Sequence, residues 1–227
     1  MRSSNFQAGP YSENVLEASK KLIIMCGLPG TGKTTFAQRI ADGLTRSYIL
    51  HRDEAREFIN DSTKRSYIIH RHELKQVIAQ SGFVKPTSEA RIVEVDSRLF
   101  VQAGKLLPCV DTLILDGTFH SYKKRNRAYW FAKQHGCKPI IIYCICSFNE
   151  ALRRLRHQSE EKVKVFESPL EEFLLYYQEH FDSLEPDTLG VTVIQVDTEN
   201  YRKPKVEIKS LLHSSIFVEK LVKILQQ

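Results

Sequence analysis

The sequence of 227 residues has no long apolar run. No stretch approaches the roughly 18 to 20 apolar residues that span a bilayer, and the first residues have no apolar core of the length that a signal peptide needs. The five cysteines form no C-x-x-C pair and no zinc spacing with histidine. Internal repeats and low-complexity segments are also missing. These absences predict a soluble, cytoplasmic protein with no membrane partner and with reduced, mostly buried thiols.

Acidic residues are missing from one part of the chain. Between Gly117 and Phe148 there is no Asp or Glu, whereas the same window holds six basic residues: Lys123, Lys124, Arg125, Arg127, Lys133 and Lys138. This window alone equals the net charge of +6 of the whole chain. Cations at the start of the predicted helix "SYKKRNR" oppose the helix dipole, so an anionic partner facing them would explain them. A solvated basic face is the alternative.

Alternating strands and helices predict an α/β fold. Continuous apolar runs, typical of strands covered on both faces, predict five strands: Lys21–Cys26, Ser47–His51, Thr112–Asp116, Pro139–Cys146 and Val191–Asp197. Segments with helical spacing lie between and after them, at 36–44, 67–80, 88–107, 121–135, 169–184 and 210–227. This order predicts βαβ units in one doubly wound domain over 21–227, preceded by an N-terminal extension over 1–20.

A phosphate-binding loop follows the first strand. The stretch "GLPGTGKTT" fits G-x-x-x-x-G-K-[ST] and has an apolar strand before it and an amphipathic helix after it. Its backbone can wrap an anion, so the predicted nucleotide-binding residues are Gly27, Leu28, Pro29, Gly30, Thr31, Gly32, Lys33, Thr34 and Thr35. Lys33 is expected to reach the β- and γ-phosphates, and Thr34 to bind Mg²⁺. The expected cofactors are therefore ATP and Mg²⁺.

Asp53 and Arg56 follow the second strand, in "LHRDEAREF". Ligands of α/β sheets gather beyond the carboxyl ends of the strands, and residues three apart on a helix share a face. A carboxylate there can accept a proton from an attacking hydroxyl, and an arginine can hold an anionic group of the acceptor. A helix-capping Asp53 and a surface ion pair of Arg56 are the structural alternative.

Asp116 ends the third strand, in "LILDGTFHS". A carboxylate at this place can orient Mg²⁺ or its water shell, or can fix Arg56 or Lys33. The alternative is that Asp116 only forms a turn before Gly117.

An arginine-rich helix is predicted after the fourth strand, in "NEALRRLRHQSEEKVK". Arg153 and Arg156 share a face, with Arg154 between them, and a lid of this kind can stabilise the charge on a transferred phosphoryl group and exclude water. Leu152 and Leu155 are expected to point inward. An exposed helix with Glu/Arg pairing is the alternative.

Together, the phosphate-binding loop, Asp53-x-x-Arg56, Asp116 and the arginine-bearing segment resemble the polynucleotide kinase branch of P-loop kinases, which is similar to zeta toxins and chloramphenicol phosphotransferase. The resemblance covers roughly 21–197. It implies a three-layer P-loop kinase sandwich with a five-stranded parallel sheet and a helical lid at about 149–168. By this resemblance Asp53 is the general base, Arg56 clamps the acceptor's phosphate and Asp116 organises the site. A lid arginine, Arg153 or Arg156, meets the γ-phosphate, and Asp197-Thr198 lies near the adenine.

Two departures from that branch concern the acceptor and the lid. Lid arginines often stand four apart, but His157 and Gln158 occupy the positions four beyond Arg153 and Arg154. "GTF" follows Asp116 in place of Thr-Asn, and 61–108 is longer than one crossover helix requires.

We therefore predict an ATP-dependent kinase that phosphorylates a hydroxyl, with the 5′-hydroxyl of a polynucleotide as first choice because basic patches attract phosphate backbones. A small-molecule kinase for a metabolite, antibiotic or nucleotide sugar uses the same catalytic parts. A nucleotide-binding switch or ATPase without an acceptor is the further alternative.

Overall fold

The computed structural model describes residues 20–44, 47–49, 66–70, 99–162, 169–212 and 216–227. Among the helices within these ranges, none has both the length and the apolar character that crossing a membrane requires. All five cysteines are free thiols, and Cys26, Cys137 and Cys144 are buried.

A seven-stranded sheet forms the centre of the described structure, in the order β2-β3-β4-β1-β5-β6-β7. Neighbouring strands are parallel except for the last pair, β6 and β7, which is antiparallel. The strands are β1 (Lys21–Cys26), β2 (Ser47–Ile49), β3 (Ser66–His70), β4 (Thr112–Asp116), β5 (Lys138–Ile145), β6 (Thr192–Asp197) and β7 (Lys205–Ser210).

Helices cover both faces of the sheet. They are α1 (Lys33–Gly43), α2 (Tyr122–Gln134), α3 (Phe148–Lys162), α4 (Leu170–Glu179) and α5 (Ile216–Gln226), with a further helical stretch over 99–106. Short 3₁₀ turns occupy Leu107–Cys109 and Pro186–Leu189. Helix α2 ends before Gly136, whose φ of 63° lets the chain turn back toward β5.

The core consists of two apolar layers, one on each side of the sheet, because successive side chains of a strand point to opposite faces. Leu22 and Ile24 of β1 pack with Ala128 and Phe131 of α2 on one side. On the other side, residues such as Ile23 pack against α1 and α5. Strand β1 lies between β4 and β5, so both of its faces are covered and its sequence is apolar from Leu22 to Cys26. The predicted α/β three-layer fold is confirmed.

The sequence prediction was incomplete in the sheet. All five predicted strands are present, but β3 and β7 were missed. The helix predicted over 67–80 is wrong at its start, because Ser66–His70 forms β3; the aromatic and β-branched residues of "SYIIH" suit a strand paired on both sides. The helix predicted from Ser210 begins at Ile216, after the antiparallel strand β7. Residues 1–19 of the predicted extension lie outside the described residues.

Candidate nucleotide and phosphoryl-transfer site

The phosphate-binding loop connects β1 to α1. Gly27, Gly30 and Gly32 have φ values of 140°, 80° and 81°, in the region that favours glycine. At Gly30 an added Cβ would overlap the carbonyl oxygen of Ala151, and at Gly32 it would lie 2.6 Å from the ring of Tyr201. The glycines therefore let the loop approach helix α3 and the segment after β6 very closely. The loop ends at the amino terminus of α1, whose dipole favours an anion.

Lys33 is the first residue of α1, and its side chain turns back over the loop. It is only 9% exposed, and its Nζ donates a hydrogen bond to the Leu28 carbonyl oxygen at 2.6 Å. Burial lowers the pKa of Lys33, and the negative charge of Asp116 opposes this shift. The ammonium group thus lies inside the loop, within electrostatic reach of the Asp116 carboxylate.

Thr34 and Asp116 meet at the carboxyl edge of the sheet. The Thr34 hydroxyl donates a hydrogen bond to the Asp116 carboxylate at 2.6 Å, and Asp116 is 5% exposed. The strand register explains this placement, since Asp116 at the end of β4 pairs with Met25 of β1, just before the loop. A hydroxyl and a carboxylate oxygen are the hard ligands that Mg²⁺ prefers, so this pair fits a magnesium ion.

The three arginines of α3 have different environments. Arg153 is exposed and pairs with Glu150 at 2.7 Å, and Arg156 is also exposed. Arg154 is buried, and it donates hydrogen bonds to the Thr198 carbonyl oxygen at 2.6 Å and to the Gly30 carbonyl oxygen at 3.5 Å. The structure therefore brings Arg154 to the phosphate-binding loop, while the γ-phosphate role of Arg153 or Arg156 stays a prediction.

Arg154 also links two further groups to the loop. It forms an ion pair with Glu150 at 2.6 Å, and its guanidinium lies 3.8 Å from the ring centroid of Tyr201. The same ring stacks on Phe36 of α1, at 6.2 Å between centroids. Sequence reasoning gave neither Arg154 nor Tyr201 a role at the site. The spacing of Glu150 and Arg154, four residues apart on α3, was the available signal for Arg154. Nothing in the sequence indicated Tyr201.

The first turns of the predicted lid belong to the packed structure. Ala151, Leu152 and Leu155 of α3 form a small apolar cluster with Leu174 of α4, and Leu28 of the loop packs against it. The inward orientation predicted for Leu152 and Leu155 is confirmed. The extent of the lid, about 149–168, stays a prediction.

Arg125 has an internal partner, contrary to the expected external anion. It is fully buried and forms an ion pair with Asp187 at 2.9 Å. Its guanidinium also donates hydrogen bonds to the carbonyl oxygens of Phe119 and His120, at 3.2 Å each. Arg125 was thus wrongly interpreted as substrate-facing. It instead holds the segment after Asp116, and Asp187 compensates the charge that opposes the helix dipole.

Asp53 and Arg56 lie outside the described residues. Their predicted roles as general base and acceptor clamp therefore stay predictions.

Two solved structures have the same fold. One is of a candidate kinase from Chloroflexus aurantiacus, 20% identical, with a TM-score of 0.57 over 81% of this chain and 90% of that chain. The other is Chaetomium thermophilum Kti12 in complex with ADP-AlF3, 17% identical, with a TM-score of 0.53 over 90% of this chain and 95% of that one. At these identities the likeness shows the fold alone.

No curated protein matches the chain. A family model described as "AAA domain" matches residues 22–181, which include the phosphate-binding loop, Asp116 and all of α3. The chain belongs to this AAA domain family.

Proposed function

We propose that this protein is an ATP- and Mg²⁺-dependent kinase that transfers the γ-phosphate of ATP to a hydroxyl acceptor. The observation that carries the proposal is the contact of Thr34 with Asp116 beside the buried ammonium of Lys33. A hydroxyl, a carboxylate and a cation at the mouth of a phosphate-binding loop are the groups that phosphoryl transfer requires.

Each residue of the loop has a defined task in this proposal. The backbone of Gly27 to Gly32 binds the phosphates, and Lys33 exchanges its hydrogen bond with the Leu28 carbonyl for one with a β- or γ-phosphate oxygen. Thr34 and Asp116 hold Mg²⁺, which neutralises charge on the phosphates when it is bound. Because Lys33 is largely shielded from water, its attraction to a phosphate is stronger than that of an exposed lysine.

The acceptor side of the proposal rests on the resemblance. The Asp53 carboxylate accepts the proton of the acceptor hydroxyl while the hydroxyl oxygen forms a bond to the γ-phosphorus. The bond from this phosphorus to the β,γ-bridging oxygen breaks, and ADP is released. Arg56 orients the acceptor, and Arg153 or Arg156 stabilises the charge on the transferred group.

The 5′-hydroxyl of a polynucleotide is our first candidate for the acceptor, on the basis of Asp53-x-x-Arg56 and the basic window. A small hydroxylated molecule is the second, and one observation favours it. The charge of Arg125, which belonged to the argument for nucleic acid, is neutralised by Asp187 inside the protein. Fewer cations are therefore available to a phosphate backbone.

The test is transfer of labelled γ-phosphate from ATP, with a 5′-hydroxyl oligoribonucleotide, the matching oligodeoxyribonucleotide, or no acceptor. Wild type is compared with Asp53→Ala. Labelled oligonucleotide that disappears in the variant supports a polynucleotide kinase. ATP binding without labelling of either strand contradicts the nucleic-acid acceptor, and small hydroxylated compounds are then assayed.

The same assay discriminates against a switch or ATPase. Such a protein releases inorganic phosphate without an acceptor, and Asp53→Ala leaves that release unchanged. A kinase loses transfer in this variant but keeps ATP binding, because Asp53 lies outside the phosphate-binding loop.

A further inference from the structure

A cavity lies away from the phosphate-binding loop. It has a volume of about 670 Å³ and runs along one face of α2, where Tyr122, Tyr129 and Lys133 are spaced seven and four residues apart. The rise of 1.5 Å per residue separates the first and last of these by about 16 Å. We call this cavity the α2 groove.

One end of the α2 groove, which we call the lysine end because Lys21, Lys133, Lys138 and Lys220 line it, lies at the opposite edge of the sheet from the phosphate-binding loop. Lys21, Lys138 and Thr192 line it, and they are the first residues of β1, β5 and β6. Gly27 and Asp116 lie at the carboxyl edge. Because a strand rises about 3.3 Å per residue, the six residues of β1 separate the two edges by about 16 Å. A ligand at the lysine end therefore does not compete with ATP.

The walls of the α2 groove are largely apolar. The sheet contributes Ile140 of β5 and Val191, which directly precedes β6. Helix α5 contributes Ile216 and Phe217 of its first turn. Ile216 is 70% exposed and Tyr122 is 43% exposed. Exposed side chains of this size beside a concave apolar surface are typical of a binding site.

Four lysines gather at one end of the α2 groove. Lys21 and Lys138 are register partners on neighbouring strands, Lys133 lies in the last turn of α2, and Lys220 lies on α5. Lys21 is 5.7 Å from the ring centroid of Phe217, which places α5 next to the strand ends. The amino terminus of α5 adds the positive end of its dipole.

Little negative charge opposes three of these lysines, Lys133, Lys138 and Lys220. Of the described residues lining the α2 groove, Asp187 is the single carboxylate, and it is already paired with Arg125 and accepts a hydrogen bond from the Tyr129 hydroxyl. Lys133, Lys138 and Lys220 form no ion pair with any described residue. Neighbouring lysine charges repel one another. An anion bound between them would relieve this repulsion and would be attracted to all of them.

We propose that the α2 groove binds an amphipathic anion, with a carboxylate, sulfate or phosphate held by the lysines and an apolar body lying along α2 toward Tyr122. A neutral apolar ligand would make no use of the charges of Lys133, Lys138 and Lys220. A polynucleotide needs cations along its whole length, whereas the lysines lining this groove are gathered at one end. Lys133 and Lys138 belong to the acid-free window, so the proposal also accounts for part of that window.

The test uses a fluorescent anion of this shape, 11-(dansylamino)undecanoic acid, and its uncharged methyl ester. The double variant Lys133→Glu/Lys138→Glu removes two of the cations. The control variant Lys105→Glu/Lys203→Glu has the same change in net charge, at exposed lysines that do not line the groove. We expect the Kd of the acid to rise at least tenfold in the first variant and to stay within twofold of wild type in the control.

A third variant, Ile216→Ser, tests the apolar wall at an exposed position and should raise the Kd of the acid severalfold. ATP binding should be unchanged in all three variants, which also verifies that they fold. The proposal is overturned if the ester binds as tightly as the acid, or if both charge variants bind the acid equally. Displacement of the acid by a short 5′-hydroxyl oligonucleotide, with the same dependence on Lys133 and Lys138, would also overturn it and assign the groove to nucleic acid.

Discussion

The hydroxyl of Thr34 donates a hydrogen bond to the carboxylate of Asp116 at 2.6 Å, although the two residues are 82 positions apart in the chain. The contact joins the first turn of α1 to the end of β4. It exists because β1 and β4 are parallel neighbours in register, so that both end at the same edge of the sheet. Two motifs that the sequence presents separately thus form one site.

This contact predicts the effect of Asp116→Asn. The amide keeps the size of the carboxylate but removes the charge, so a Mg²⁺ ion bound there would lose the negative charge of one ligand. We expect the increase in ATP affinity that Mg²⁺ produces to fall by about 10- to 100-fold, corresponding to about 1.5–3 kcal/mol for an interaction with a charged group. Titration with ATP, with and without Mg²⁺, measures this increase in affinity for wild type and variant.

Thr34→Ser is the control for this prediction, because serine keeps the hydroxyl that contacts Asp116. It should bind ATP and Mg²⁺ nearly as wild type does. If Asp116→Asn leaves the Mg²⁺ dependence intact, the charge of Asp116 does not hold Mg²⁺ and the magnesium site lies elsewhere.

Arg154 and Arg153 are neighbours in sequence but should respond very differently to substitution. Arg154→Ala removes a buried guanidinium from Thr198, Glu150 and Tyr201, and it leaves buried acceptors unpaired. We expect it to lower the free energy of unfolding by about 3 kcal/mol and to weaken ATP binding. Urea unfolding and ATP titration measure the two effects.

Arg153→Ala is the matched control, since this side chain is 66% exposed. Its free energy of unfolding should fall by no more than about 0.5 kcal/mol, because its pair with Glu150 is exposed. If Arg153 meets the γ-phosphate, this variant loses phosphoryl transfer with little change in stability. Equal stability of the two variants would contradict the bracing role of Arg154.

The sequence predicted the features of the fold that depend on local pattern. The apolar strands, the phosphate-binding loop and the acidic end of β4 could all be recognised because few other structures tolerate those residues at those positions. The strand β3 could not, because "SYIIH" is too short for its periodicity to separate strand from helix. Its parallel neighbours β2 and β4 determine its conformation.

The partners of buried charges were also beyond prediction. Arg125 pairs with Asp187 and Arg154 reaches Thr198, at sequence separations of 62 and 44. Nothing in a charge pattern indicates whether a cation turns inward to a distant carboxylate or outward to a ligand. The helix face separated Arg153 and Arg156 from Arg154 in sequence, but only the packing of α3 on the loop shows that Arg154 is the one that turns inward.

Gly30→Ala should disrupt the phosphate-binding loop. Its φ of 80° is unfavourable for alanine, and the new Cβ would overlap the Ala151 carbonyl, so α3 has to move away from the loop. The conformational cost alone is about 1 kcal/mol, and the displacement should reduce ATP binding more than tenfold. Isothermal titration calorimetry measures this affinity.

Gly136→Ala separates the conformational cost of alanine from the overlap of the new Cβ with α3. Gly136 has a φ of 63°, but an added Cβ there meets no atom within 4 Å. This variant should lose about 1 kcal/mol of stability and bind ATP normally. Equal ATP affinity of the two variants would show that close packing of Gly30 on α3 is unimportant for the site.

Glu150 makes the stability of the α3 contact depend on pH. Hydrogen bonds from Arg153, with those from Arg154, lower the pKa of its carboxyl from 4.5 to about 2. A carboxyl with a lowered folded-state pKa stabilises the fold above its unfolded pKa of about 4.3 and loses this effect as the pH falls toward 2.

Glu150→Gln should therefore be less stable than wild type at pH 7, by about 1 kcal/mol for a partly exposed pair. In urea unfolding at pH 7, 5, 4 and 3, this difference should be constant down to about pH 5 and then shrink. A difference that stays constant down to pH 3 would mean that the charge of Glu150 does not hold Arg154 in place.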